Sequence, residues 1–229
     1  GSKFGDLVDL MAACDALGAA AADIETKASE IGEDSELLRE CSTRAEQMPT
    51  GICELDSEFG GGLPCGTLTT TLMDSKAGKS VWLCQKAAVA SMHGEDVAYL
   101  SMELPREEIH RRIIAATLGI PINDLLNPKL RAEALRVYKH LRQSGKVGKV
   151  IVEKFEQQAI NEKEVVAWFD RQEKEHNTRF RYRVMDYGDL IASSKREDRE
   201  SEYGRGKTVW TARYNMAARE EAPNWVVTA

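Results

Sequence analysis

From residue 49 onward the chain alternates short apolar, β-branched runs with amphipathic stretches, and that rhythm admits few folds. "GTLTTTLM" (66–73), "DVAYLSMEL" (96–104), "KVIVEKF" (149–155), "RYRVMDYGDLI" (181–191) and "NWVVTA" (224–229) read as strands. Between them, 79–94, 105–119, 129–144, 160–176 and 208–221 carry the apolar period of helices. A helix between successive strands makes neighbours parallel, and strands that are apolar on both sides need cover on both faces. The expected class is α/β, a mostly parallel sheet flanked by helices.

Ahead of that region, Phe4, Leu7, Val8, Leu10, Met11, Cys14 and Leu17 keep a helical period within 3–31. A second helix fits 35–47 behind an Asp34 or Ser35 cap, and "MPTG" (48–51) breaks the pattern. The expected division is an N-terminal helical segment or linker over 1–48 and an α/β domain over 49–229. The chain stops inside an apolar strand, which points to a longer natural protein truncated at the C-terminus. The opening Gly-Ser reads as a cloning remnant.

A formal net charge of −6 gives no general support to nucleic-acid binding, which would need a local basic patch or a lumen formed by assembly. No apolar run approaches the ~20 residues that cross a bilayer, so no membrane association is expected. The five cysteines include no C-x-x-C spacing and read as free thiols of a reducing cytoplasm. Histidines 93, 110, 140 and 176 show no ligand spacing.

The chemistry concentrates in "TLMDSKAGKS" (71–80). Gly78, Lys79 and Ser80 form the second half of a phosphate-binding loop, between a strand and a helix as that motif requires. There the loop amides wrap phosphate, the lysine reaches its oxygens, and the serine hydroxyl serves Mg2+. Met73 stands where the motif has its first glycine. The anion-binding amides belong mainly to 75–80, so phosphate binding is expected to survive, and Lys76 adds either a second loop cation or a solvated lysine. Nucleotide hydrolysis further wants one carboxylate near the metal and another to deprotonate water, both at strand ends of a parallel sheet. Asp186, after an apolar strand, and Glu103, at the end of "VAYLSMEL", answer that need.

Four segments in order resemble the RecA-fold ATPase domain of DnaB-type (superfamily 4) hexameric replicative helicases, with a phage-like cast. "PTGICELDSEFGGGLPCGTL" (49–68) resembles that family's lead-in, "YLSMELPREEIHRRI" (99–113) the segment holding its catalytic glutamate, "MDYGDLI" (185–191) its Walker B strand, and "WVVTA" (225–229) its sensor strand. The resemblance implies an ATP-dependent DNA helicase motor using Mg2+ and ATP. Carried onto this sequence, it gives nucleotide contacts to Ser75, Lys76, Ala77, Gly78, Lys79, Ser80, Val81 and Arg112, metal ligation to Ser80 and Asp186, and water activation to Glu103. Arg111 or Arg112 supports the site, unless both belong to a solvated basic helix face. It further implies single-stranded DNA as partner, a hexameric ring in the complete protein, primase or a helicase loader as contacts, and a cytoplasmic location, the host's if phage-encoded. The arginine finger and sensor glutamine would lie beyond Ala229, so weak hydrolysis and no unwinding are expected of this chain. Residues 4–31 or 35–47 stand as a linker helix for the adjacent subunit or as a simple helical cap.

Other readings stay open. A RecA/RadA-like or KaiC-like ATPase shares the lead-in and loop, although "SMEL" leans against it. A non-hydrolysing scaffold with a decayed loop is the alternative from another class. The mixed-charge run 192–207 reads as mobile loop, or as a channel-facing DNA contact. Trp210 with Tyr214 and Trp168 with Phe169 read as core.

Overall fold

The computed structural model describes residues 46–74, 76–187, 191–192, 202–218 and 225–228, with the side chains of 202–208 excepted. The helix expected over 3–31 and all but the last two residues of the one expected over 35–47 lie outside these residues, as do Ser75 and 193–201. Residues 45–229 form one compact unit.

Along the chain come β1 (Gln47–Met48), α1 (Cys53–Glu58), β2 (Leu63–Pro64), β3 (Leu68–Thr70), α2 (Lys79–Met92) and β4 (Val97–Ser101). They are followed by α3 (Arg106–Leu118), a 3-10 turn (Ile122–Leu126), α4 (Pro128–Gln143), β5 (Val150–Lys154), α5 (Glu162–His176), β6 (Tyr182–Asp186), α6 (Glu202–Ala217) and β7 (Trp225–Thr228). β1 and β2 pair antiparallel. The main sheet is five-stranded, ordered β3-β7-β6-β4-β5, and each of its neighbours runs parallel.

The strand residues explain the layers. Alternate side chains point to opposite faces of a sheet. Val97, Tyr99, Tyr182, Val184, Trp225 and Val227 enter one core with Leu83, Cys84, Ala87 and Ala88 of α2 and Ile109 and Ile113 of α3. Ala98, Leu100, Met185 and Val226 enter the other with Val165, Trp168 and Phe169 of α5 and Val209 and Met216 of α6. The two-sided parallel sheet expected from the sequence is therefore present, and Trp168 and Phe169 are core residues as read. Local signals set the helix ends. Asn161 and Glu164 form a reciprocal capping box at the start of α5, Pro105 is the extended residue before α3, and Gly119 closes α3 in the left-handed region.

Several boundaries and placements differ from the sequence reading. The strand expected over 66–73 is only Leu68–Thr70; one more ladder bond, Thr71 N–H to the Thr228 carbonyl at 2.9 Å, is made before the chain turns into the loop. Helix α6 begins at Glu202 and ends at Ala217, so part of the run read as loop is helical despite Gly204 and Gly206. Packing of α6 on α5, β3 and β7 outweighs the glycine propensity there. Gln47 opens β1 rather than closing a helix. Tyr214 is 59% exposed and is not core. Among the described residues, no helix is long and apolar enough to cross a membrane.

Candidate functional site

The lead-in segment forms a brace against α2. The N–H groups of Thr50 and Gly51 donate to the Asp56 carboxylate at 2.6 and 3.2 Å, which closes the turn into α1. Lys86 of α2, only 1% exposed, donates to the Thr50 carbonyl and sets its ammonium 3.6 Å from the centre of the Trp82 ring. Burial lowers the Lys86 pKa to about 8, with the Asp56 charge opposing. Gly62 passes so close to β1 that a Cβ would meet the Met48 carbonyl oxygen, and its φ of +132° belongs to glycine. The indole N–H of Trp225 donates to the Leu63 carbonyl at 2.8 Å, tying this segment to the sheet.

The loop between β3 and α2 lies at the carboxyl end of the sheet, where open α/β folds collect ligands. Gly78 precedes α2 with φ 97° and ψ 24°, and nothing lies within 4 Å of where its Cβ would be. Left-handed backbone in this loop falls at Lys76 (φ 67°) and Gly78. Met73 is not among the left-handed residues described, so the absent glycine imposes no backbone strain there. Helix α2 has neither a capping side chain nor an acidic residue in its first turn, whereas α3 and α5 carry glutamates there. The positive end of α2 is thus left free for an anion.

Strand β6 and the turn after β4 deliver the carboxylates. The Ser80 hydroxyl donates to Asp186 Oδ1 at 3.1 Å, joining residues 106 apart in sequence. Asp186 is fully buried, and its Oδ2 accepts from the Tyr99 hydroxyl at 2.8 Å. Burial raises the Asp186 pKa and the Glu103 charge raises it further, while the bonds from Tyr99 and Ser80 and the positive Arg112 oppose the shift. A hydroxyl and a carboxylate side by side are the hard oxygen donors that Mg2+ takes, so the residues fit that ion. The Lys79 ammonium lies 4.8 Å from the centre of the Tyr187 ring.

Glu103 sits two residues past β4, on a turn rather than at the strand end itself. The Met102 N–H donates to the Asp186 carbonyl at 2.8 Å, and the Ser101 hydroxyl both accepts from Leu104 N–H and donates to the Leu104 carbonyl. That turn leaves Glu103 exposed. Arg111 and Arg112 both pair with Glu108, the second at 2.9 Å. Arg112 and the exposed Val81 share a groove of about 560 Å³ between α2 and α3.

Lys79, Ser80, Asp186, Glu103 and Arg112 therefore converge. Lys76 and Ala77 are exposed loop residues, and Ser75 lies outside the description. Sequence reading missed Tyr99 and Tyr187. Each stands within a quoted strand segment, but a tyrosine on an apolar strand gives no sign of which group its hydroxyl or ring will meet.

A DnaB-like replicative helicase of Enterobacteria phage T4 is 29% identical over 113 residues, covering 49% of this chain and 24% of that protein. A solved structure titled for a DnaB-like replicative helicase and its interactions with primase superposes with a TM-score of 0.61 at 17% identity, over 87% of this chain and 49% of that chain. At that identity the likeness is one of fold, and the fold is the RecA-like one. The chain thus spans about a quarter of the curated relative and about half of the structural one. The DnaB-like helicase C-terminal domain model matches residues 47–208. That match takes in the braced lead-in, the loop, Glu103 and Asp186, and with it the chain belongs to the DnaB-like helicase C-terminal domain family.

Proposed function

We propose that this chain is the ATP-hydrolysing motor domain of a replicative DNA helicase. The observation that carries this reading is the 3.1 Å bond between Ser80 and Asp186, which joins two hard oxygen donors of the kind Mg2+ takes at the start of α2. In this reading the backbone from Ser75 to Val81 holds the ATP phosphates and Lys79 neutralises their oxygens. Ser80 and Asp186 hold Mg2+, which when bound supplies charge neutralisation to the transferring phosphoryl group. Glu103 accepts the proton of the water that attacks the γ-phosphorus, and ADP leaves with the bridging oxygen. Arg112, already near Asp186, adds positive charge.

At the level of the complete protein, the proposal adds single-stranded DNA as the track, a hexameric ring that supplies the rest of each site in trans, and primase or a loader as partner. It divides the chain into an N-terminal helical segment, read from the sequence as 1–48, and the motor, whose compact unit begins at residue 45 and includes the strand Gln47–Met48, working in the cytoplasm. Hydrolysis by the chain alone is expected to be weak.

The test is binding of a fluorescent ATP analogue to this chain in Mg2+, beside Lys79→Ala and Met73→Gly. Binding by the parent and by Met73→Gly, lost in Lys79→Ala, is the expected result. Equal binding by all three would remove the phosphate site from the reading. Recovery only in Met73→Gly would favour a scaffold with a decayed loop.

A further inference from the structure

Asp186 has two carboxylate oxygens, and the structure assigns them different work. Oδ1 faces Ser80 and the phosphate loop. Oδ2 faces inward, where the hydroxyl of Tyr99 is hydrogen-bonded to it at 2.8 Å. Tyr99 lies on β4, the strand next to β6, is 0% exposed, and stands at the register position directly opposite Val184. Its ring packs among Leu83, Cys84, Ile109 and Val184, a setting that phenylalanine would fill equally well. The hydroxyl is the part that packing does not explain. Burying a hydroxyl costs free energy unless it finds a partner, and in this core its partners are Asp186 and, at 3.8 Å, the thiol of Cys84.

We propose that Tyr99 is a positioning residue for the metal-binding carboxylate, fixing the rotation of Asp186 through Oδ2 so that Oδ1 stays aimed at Ser80 and the phosphate loop. The inference rests on the assignment of Ser80 and Asp186 to Mg2+ and deepens it. A carboxylate held only through Oδ1 turns about its Cβ–Cγ bond, and a metal partner that turns loses affinity. A second hydrogen bond from the rigid neighbouring strand removes that freedom before the ion arrives. The same donor offsets the charge of Glu103, which bears on Asp186 from the turn after β4. Outer partners of this kind are commonly worth ten- to hundredfold in metal affinity.

The experiment measures binding of N-methylanthraniloyl-ADP to the full chain in excess EDTA and across a Mg2+ titration, for the parent, Tyr99→Phe, Cys84→Ala and Lys79→Ala. Thermal midpoints by circular dichroism accompany each. Tyr99→Phe is expected to bind nucleotide in EDTA as the parent does, and to need about tenfold more Mg2+ for half of the magnesium-dependent gain. Cys84→Ala takes away the phenol's other neighbour and keeps the Asp186 bond, so its Mg2+ midpoint is expected to match the parent. An unchanged midpoint in Tyr99→Phe, with or without a lower melting temperature, would make the hydroxyl structural and overturn the assignment. So would a Cys84→Ala midpoint displaced tenfold. Loss of binding in Lys79→Ala together with a parental midpoint in Tyr99→Phe leaves the phosphate site intact and sinks this inference alone, whereas a parent insensitive to Mg2+ sinks the metal assignment itself.

Discussion

Replacing Lys86 by methionine tests the brace between the lead-in segment and α2. Lys86 is buried beside Leu83, Ala87 and Ala90 of α2, with its ammonium against the Trp82 ring, and burial takes its pKa down to about 8. An unfolded lysine titrates near 10.4. Between those values the unfolded chain binds more protons than the folded one, so stability rises with pH across that window. Below about pH 8 the lysine is charged in both states, and the folded state bears the whole cost of burying the charge. The displacement corresponds to about 3 kcal/mol at most. Methionine has a similar length and no charge. It forgoes the bond to the Thr50 carbonyl, worth about 1 kcal/mol, and exchanges the ammonium's contact with the Trp82 ring for a thioether contact of similar size, so at pH 7 the variant is expected to be more stable by about 2 kcal/mol. That advantage should vanish or reverse by about pH 10, where the parent's amine is neutral. Urea unfolding of both proteins at pH 7, 8, 9 and 10, followed by circular dichroism, gives the difference directly. Groups common to the two chains cancel, the Cys84 thiol among them, which burial pushes up to about 12. A difference that stays within 1 kcal/mol over this range, or grows with pH, would refute the reasoning.

Gly62→Ala places a methyl group against the Met48 carbonyl in a backbone region side chains rarely adopt, and should cost about 2 kcal/mol or more in urea unfolding. Asn161→Ala removes the side-chain acceptor of the Lys163 and Glu164 amides at the start of α5. Its expected cost is about 1 kcal/mol, with unchanged nucleotide binding. Glu103→Gln should keep Mg2+-dependent nucleotide affinity while phosphate release from ATP falls at least about a hundredfold; equal turnover by parent and variant would take the base role away from Glu103. Phe169→Ala, which empties a fully buried ring position between α5 and the sheet, is expected to lower stability by about 3–5 kcal/mol.

Local pattern in the sequence was enough for the fold class, because its signals are short-range. Apolar strands alternating with amphipathic helices require a sheet covered on both faces, and both cores are built from the residues that alternate along β4, β6 and β7. The loop was legible for the same reason: Gly78-Lys79-Ser80 must follow a strand and open a helix, and it does. Asp186 and Glu103 could be named as candidates because parallel sheets bring strand ends to one side.

What tertiary structure alone decided is where side chains distant along the chain meet. Nothing local says that Tyr99 on β4 will reach the second oxygen of Asp186 on β6, or that the Lys79 ammonium will lie over Tyr187. Those contacts depend on strand order, with β4 beside β6, and strand order is a property of how helices pack on both faces. Likewise α6 forms through residues that read as loop, since its stability comes from α5 and the sheet rather than from its own glycines. Sequence alone determined which chemistry this chain can host. The juxtaposition of β4, β6 and the loop determined which Asp186 oxygen meets Ser80 and which is held by Tyr99, because hydrogen bonds need distances that only the packed sheet provides.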